Sequence, residues 1–273
     1  MTNKTKGDLT KEGEYINNSI EYLAKMYSMT GDYHTHTVHS KMGFYLHGKG
    51  SVLDNVRAAH EAGLKEIAIT DHGPKEVYGL KLAEIPLIRE EIRKASEIYP
   101  DVKVYFGVEA NIMNSNNGLD ITPEEIKEFD FINAGYHYGV PRCDMILNWI
   151  AFKLPSPKFL KRYVSKRNTK NAVRAINCNN IRTLTHPGDK AHFDMEALAQ
   201  ACEDNNTLIE INARHKRPNI EDITTFSKYD VKFIINSDAH KPIYVGRYLK
   251  SLKLAVDAGL SVDRIVNIES RSK

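Results

Sequence analysis

Cysteine is scarce in this chain, and the little there is makes no pattern. Cys143, Cys178 and Cys202 show neither a zinc-knuckle spacing nor a disulfide framework, so sulfur staples are not expected and a reducing, cytoplasmic setting is. An excess of one charge is missing too. Lysine and arginine number 38 against 35 acidic residues, and a net charge of +3 does not by itself imply a nucleic-acid partner. No apolar run approaches the ~18 residues of a membrane span, and Met1 to Thr10 lacks the apolar segment of a secretory signal. There is no GxxxxGK[ST] nucleotide loop, Gly48-Lys49-Gly50 being too short to serve as one. There is no GxSxG elbow to present a serine nucleophile either. What remains is a globular chain of 273 residues, 41% apolar and 27% charged, able to bury one large core or two modest ones.

Histidine, by contrast, is plentiful: there are eleven, and their placement matters more than their number. Asp32-Tyr33-His34-Thr35-His36 organises the rest, together with His47 further on. Two imidazoles at i and i+2 share one side of an extended backbone and can converge beyond its tip. Further strands are expected near residues 67, 105, 132, 184, 209 and 233. Each empties into polar residues: Asp71-His72, Glu109, His137, His186, Asn212-Ala213-Arg214-His215 and Asp238-Ala239-His240. Helical patterns lie between them. Val52, Val56, Ala59 and Ala62 form one stripe behind a Ser51 cap, Leu80 to Tyr99 is interrupted near Pro86, and Pro123 to Phe129 follows a Thr122 cap. Ahead of the first strand, Ile20, Leu23, Ala24 and Tyr27 predict a helix over Asn17 to Met29, so residues 1–31 read as a helical extension packed on the main domain. Residues 265–268 read as a terminal extended piece.

Seven β/α units without a dividing linker predict a single α/β domain over residues 32–273, either a closed or distorted seven-stranded TIM-like barrel or an open doubly wound sheet. The barrel is preferred because it gathers every strand's carboxyl end around one mouth. An interval from about 140 to 171 breaks the rhythm with Trp149, Pro155, Pro157 and a basic run from Lys158 to Lys170. It reads as part helix and part cover, either a solvated basic face or a lure for an anionic substrate.

The candidate metal ligands are His34, His36, His47, His72, Glu109, His137, His186, Asp238 and His240. Nine N/O donors are too many for one tetrahedral ion. Two or three divalent cations fit better, with Glu109 as the bridge, because a carboxylate can offer one oxygen to each of two ions. Imidazole and carboxylate suit Zn, Mn or Fe, and no cysteine joins the set. His39 competes with His47 for a place, and can equally be a partner behind the ligands, a substrate contact or an exposed residue. His60 reads as ordinary surface, and Asp71 as a group that orients an imidazole.

In five motifs the chain resembles the PHP (polymerase and histidinol phosphatase) superfamily, most of all its stand-alone phosphatases of the YcdX type. They are Asp32 to His36, Ile69 to Pro74, Gly107 to Asn111, Thr185 to Gly188 and Asn236 to His240. The resemblance implies a distorted seven-stranded (β/α) barrel and three ligand groups. His34, His36, Glu109 and Asp238 would hold one metal, and His47, His72 and His240 a second. His137 and His186, with the shared Glu109, would hold a third.

A multimetal N/O site with open positions is suited to phosphoester hydrolysis. The expected reaction is hydrolysis of a small phosphomonoester by hydroxide generated at the metals, without a covalent enzyme intermediate. Glu109, Asp238 and His240 would act in catalysis, Arg214 and Lys49 would contact phosphate, and Arg217 would contribute less. Histidinol phosphate is one family substrate. Exonuclease or other phosphodiester cleavage, with the basic run gripping a phosphate backbone, is a second enzymatic reading and is not favoured. A non-enzymatic metal-binding module is the third.

Overall fold

The computed structural model describes residues 19–140 and 143–271. Seven strands lie parallel and in sequential order: β1 (Gly31–Thr35), β2 (Glu66–Ile69), β3 (Lys103–Asn111), β4 (Phe131–Gly135), β5 (Ile181–Leu184), β6 (Leu208–Asn212) and β7 (Phe233–Asn236). The sheet curls until β7 meets β1, giving the nearly closed, distorted barrel expected from the alternating pattern. Helices cover its outside: α2 (Val52–Glu61), α3 (Ile85–Ile98), α4 (Pro123–Ile126), α6 (Lys158–Cys178), α7 (Met195–Asp204), α8 (Ile220–Ser227) and α9 (Leu249–Asp257), with α1 (Ile20–Met26) and α5 (Cys143–Lys153) as additions. The strands are buried on both faces, which is why they read as apolar runs.

Local chemistry sets the element ends. Ser51 and Asp54 form a reciprocal capping box on α2, whose buried Val52, Asn55, Val56 and Ala59 make one stripe against the sheet. Pro86 does not interrupt a helix but begins one: α3 starts at Ile85, and a proline in the first turn lacks only a donor that would have no intrahelical partner. The predicted helix over Asn17 to Met29 also ends early. Tyr27–Met29 leaves it to pair antiparallel with Ile268–Ser270, a strand lying beyond the expected 265–268 piece. Residues 1–18 of the expected extension lie outside the described residues. Within the 140–171 interval, α5 packs on α6, and α6 continues without a break into the helix that precedes β5.

The seam between β7 and β1 is held mainly by side chains. Beyond one bridge, Thr35 to Ala239, Asn267 Nδ2 donates to Gly31 O at 2.8 Å and to Ile235 O at 2.6 Å, while its Oδ1 accepts from Ile235 N at 3.0 Å. Asp32 accepts from the backbone N–H groups of Ser237 and Gly246 at 3.1 and 2.9 Å. Tyr33 N donates to Asn236 Oδ1 at 3.0 Å. These bonds satisfy backbone groups that a regular ladder would otherwise pair, and they bring the first and last motifs of the sequence side by side.

Candidate metal centre

Alternation along the strands decides which side chains enter the barrel's upper end. On β3 the residues Tyr105, Gly107, Glu109 and Asn111 share a face; on β6 Leu208, Glu210 and Asn212 do so. Glu109 lies within β3 rather than at its end, because β4 pairs with β3 as far as Asn111. Close approach is possible because β4 ends in glycine. A Cβ on Gly135 would stand 2.2 Å from Thr185 Oγ1 and 3.1 Å from Glu109 Oε1. His186 and Asp238 take positive φ angles of 29° and 51°, a conformation that costs energy and tends to collect where function demands it.

Glu109 is fully buried, and its two oxygens face different neighbours. Oε1 accepts from Thr185 Oγ1 at 2.8 Å and lies 2.9 Å from His186 Nε2 and 3.4 Å from His137 Nε2. Oε2 lies 3.0 Å from His72 Nδ1, 3.2 Å from His34 Nε2 and 3.5 Å from His36 Nε2. Asp238 behaves alike. Its Oδ1 is 3.3 Å from His36 Nε2, 3.2 Å from His240 Nδ1 and 3.4 Å from Arg214 Nη1, and its Oδ2 is 3.0 Å from His215 Nε2. Donor atoms within reach of a common ion form overlapping triplets: His34, His36 and Asp238; His36, His72 and His240; His34, Glu109 and His186; His72, Glu109 and His137; His186, His215 and Asp238.

His47 is outside these triplets, but its ring stands 4.5 Å edge-on from that of His240 and 5.3 Å from that of His72. The path to it explains the long interval after His36. Residues 37–50 make a small hairpin, Lys41–Met42 against Tyr45–Leu46, closed where Ser40 O accepts from His47 N at 2.9 Å and Gly48 N at 3.1 Å. Gly48 is required there, since a Cβ would lie 2.1 Å from Thr37 O. His39 turns the other way, to Glu84 and Glu91 at 3.0 Å each. Asp71 accepts from Thr37 N, Thr37 Oγ1 and Ser40 Oγ at 2.6–2.7 Å, so it anchors the start of the hairpin rather than touching His72. His60 is on the surface, paired with Asp101.

Electrostatics leave the cluster in a ligand-ready state. Burial alone would push the Glu109 carboxyl up, but His137 and His34 hold it well below the usual range. Asp238 is likewise held low, by His34 and His240 against its burial. Burial, with repulsion from His240 and His72, keeps His36 neutral far into acid, and burial also lowers His137, His186 and His240. His34 and His72 go the opposite way: burial lowers both, but Glu109, Glu210 and Asp238 raise His34 well above the ordinary value and Glu109, Glu76 and Asp238 raise His72, so metal binding at these two rings would displace a proton. Ionised carboxylates and neutral imidazoles are the metal-binding forms. Glu109 Oε2 and His72 Nδ1, 3.0 Å apart and buried, have no hydrogen-bond partner among the described residues. Buried polar atoms left unsatisfied are costly, and a bound cation would remove that cost. The residues fit bound divalent metal.

Two residues that the sequence reading passed over belong to the assembly. Glu210, fully buried, takes His34 Nδ1 at 2.7 Å, His186 N at 2.9 Å, Asn212 Nδ2 at 2.8 Å and Asn236 Nδ2 at 3.0 Å. It fixes the His34 ring from behind, as outer carboxylates do for metal-binding histidines. Its signal was a lone acid inside the apolar run Leu208-Ile209-Glu210-Ile211. His215 sits between Asp189 at 3.1 Å and Asp238 at 3.0 Å; burial lowers its pKa, but these two carboxylates raise it to about 8. Nothing in the sequence separated it from any other histidine after a strand.

Two cavities open over the cluster and share His47, Arg214 and Asp238. One, about 450 Å³, also takes in Lys49; the other, about 410 Å³, takes in His72, His137 and His215. Arg214 Nη1 lies 3.1 Å from both ring nitrogens of His240. Arg217 is committed elsewhere, to both oxygens of Asp222 at 2.6–2.7 Å.

Comparison with known proteins agrees with this chemistry. The PHP domain model matches residues 32–216. A probable phosphatase of Clostridium acetobutylicum is 30% identical over 250 residues, covering 88% of this chain and 91% of that protein. One from Thermoanaerobacter sp. (strain X514) is 28% identical over 250 residues, covering 87% and 90%. The histidinol phosphate phosphatase of Lactococcus lactis subsp. lactis, solved with zinc, L-histidinol and phosphate, shares the fold, with a TM-score of 0.55 at 17% identity over 85% of this chain and 95% of that one. With more than half of its length matched, from the first histidine pair to past Arg214, the chain belongs to the PHP domain family.

Proposed function

We propose that this protein, a metal-dependent phosphoesterase by family, hydrolyses a small phosphomonoester at a centre of two or three divalent cations. His34, His36, Glu109 and Asp238 would hold the first; His47, His72 and His240 the second; His137 and His186, with Glu109 shared, the third. The observation that carries this reading is Glu109, whose two oxygens face two different sets of imidazoles beneath open cavities. The donor set is nitrogen and oxygen throughout, which suits Zn, Mn or Fe. When bound, such cations acidify water and offset charge on phosphoryl oxygens.

The chain's own groups do the rest. Arg214, beside Asp238 and His240, binds a phosphoryl oxygen, and Lys49 on the same cavity wall adds a second cation. Asp238 would accept the proton of the attacking water, and His240, 3.2 Å from its Oδ1, would keep that carboxylate in place. His215, held between Asp189 and Asp238 on the wall of the other cavity, returns a proton to the leaving alkoxide. Glu210 keeps the His34 ring in orientation. A small substrate is supported over a polymer because no residue from 158 to 170 lines either cavity. Residues 32–273 are taken as one catalytic domain, with an insertion at about 140–171.

Protein reconstituted separately with Zn, Mn and Fe is expected to release phosphate from an aryl phosphomonoester, and chelation is expected to abolish this. Full activity after chelation rules the reading out, as does an undiminished Glu109→Ala protein.

A further inference from the structure

The two cavities over the metal centre differ in charge. The one of about 410 Å³ sets Glu76 against Lys190, whereas the one of about 450 Å³ is lined by Lys49, Arg214, Lys241 and Arg247. The sole acid on that wall is Asp238, already occupied on Oδ1 by His36, His240 and Arg214 and on Oδ2 by His215. Among the described residues Lys49, Lys241 and Arg247 have no carboxylate partner. Lys241 and Arg247 only flank the Tyr244 ring, at 5.9 and 4.0 Å from its centre.

Like charges gathered around one concave space repel one another and raise the local concentration of anions. Arg214 and Lys49, with the metals, already answer the charge of one phosphoryl group. Lys241 and Arg247 are surplus to that need, and they line, with Arg214, one space large enough for a small-molecule substrate. Resting on the phosphomonoesterase reading above, we propose that the leaving group of the substrate carries a second anionic group, a carboxylate or a second phosphate, which Lys241 and Arg247 bind. The substrate then has a fixed direction. Its scissile phosphate lies at the metals, its second anion lies toward Tyr244, and the Glu76 side of the centre stays free of it.

The test compares matched substrates on the metal-loaded protein. These are 3-phosphoglycerate against glycerol 3-phosphate, which differ in one carboxylate, and a hexose 1,6-bisphosphate against the hexose 6-phosphate. The doubly anionic member of at least one pair is expected to show a kcat/KM higher by about tenfold or more, carried mostly by KM, as charge-assisted contacts supply. Which pair shows it identifies the second group. Lys241→Met and Arg247→Met, singly and together, are expected to bring that ratio toward one, and raised salt to lower it in the wild type. Equal rates within both pairs, or a ratio untouched by the double variant with its melting temperature preserved, overturn the proposal while hydrolysis of an aryl phosphate upholds the phosphatase. Faster release from the 3′ end of a single-stranded oligonucleotide than from every small ester also overturns it. No turnover of any phosphoester by the metal-loaded protein sinks the phosphatase reading and this proposal with it.

Discussion

The two ends of the barrel interior solve the same problem in different ways. At the lower end, Arg182 lies over the Tyr33 ring at 4.2 Å and the Phe131 ring at 5.0 Å, Tyr105 packs against both, and Glu66 accepts from the hydroxyls of Tyr33 and Tyr105. One cation, one carboxylate and three aromatic rings make a plug in which charge is balanced and faces are filled. Further along these strands, and in the loops that follow them, the interior holds Glu109, Glu210, Asp238 and a ring of imidazoles. There the lone pairs outnumber the donors. A carboxylate that accepts from two tyrosine hydroxyls is satisfied within the protein; a binding centre is left incomplete. That difference, more than the presence of buried charge, is what identifies the upper end as the working one.

The contrast can be broken most severely at Glu109. Its replacement by alanine is expected to lower kcat/KM on an aryl phosphate by about a thousandfold or more, ~4 kcal/mol of transition-state stabilisation. Circular dichroism is expected to show the fold intact, because the lost group served a cation rather than the core. Glu210→Gln is the milder version. It keeps the shape but removes the carboxylate behind His34, and metal affinity is expected to drop by about 10–100-fold, read as metal retained after dialysis against a chelator. Retention equal to the wild type would mean that Glu210 does not tune the centre.

The lower end is expected to answer in stability, not in catalysis. Arg182→Met leaves the Tyr33 and Phe131 faces without their cation, at a cost of about 1 kcal/mol. Denaturant unfolding checks the loss, and kcat/KM of the metal-loaded variant is expected to match the wild type. A catalytic defect as large as that of Glu210→Gln would erase the distinction between the two ends.

The smallest effect belongs to His39, the histidine turned away from the site. Burial lowers its pKa, but Glu91 and Glu84 more than compensate, so the folded value lies above the ordinary one. The stabilisation is therefore full below the unfolded histidine's pKa and disappears as pH rises through the raised value. His39→Asn is expected to cost about 0.5 kcal/mol in mild acid, discounted for the partial exposure of both glutamates. The melting-temperature difference from wild type is expected to shrink at alkaline pH. A difference constant across that range would assign the loss to packing alone.

Much of the fold was legible because parallel strands buried on both faces leave apolar runs, and the helices between them leave stripes and caps. The seven strands stand where those runs predicted. The misjudged ends share a cause. Tyr27–Met29 and Ile268–Ser270 become strands only by pairing across more than two hundred residues, and no window of sequence contains both partners. Pro86 was misread because one residue both breaks a helix interior and begins a helix.

The candidate donors were legible as well, since each follows or closes a predicted strand and parallel strands aim their carboxyl ends one way. Their arrangement was not. The sequence by itself determined seven strands alternating with helices, polar residues at the strand ends and a donor set of imidazole and carboxylate, because these follow from periodicity and composition over short spans. Only the tertiary structure decided that His39 turns to Glu84 and Glu91, that Glu210 stands behind His34, that His215 joins Asp238, and that Lys241 and Arg247 share one wall. Those are distances between residues on different strands and loops, fixed by the hairpin at 41–46, the side-chain seam at Asn267 and the glycine at 135. Each is a three-dimensional closure to which no local pattern is sensitive.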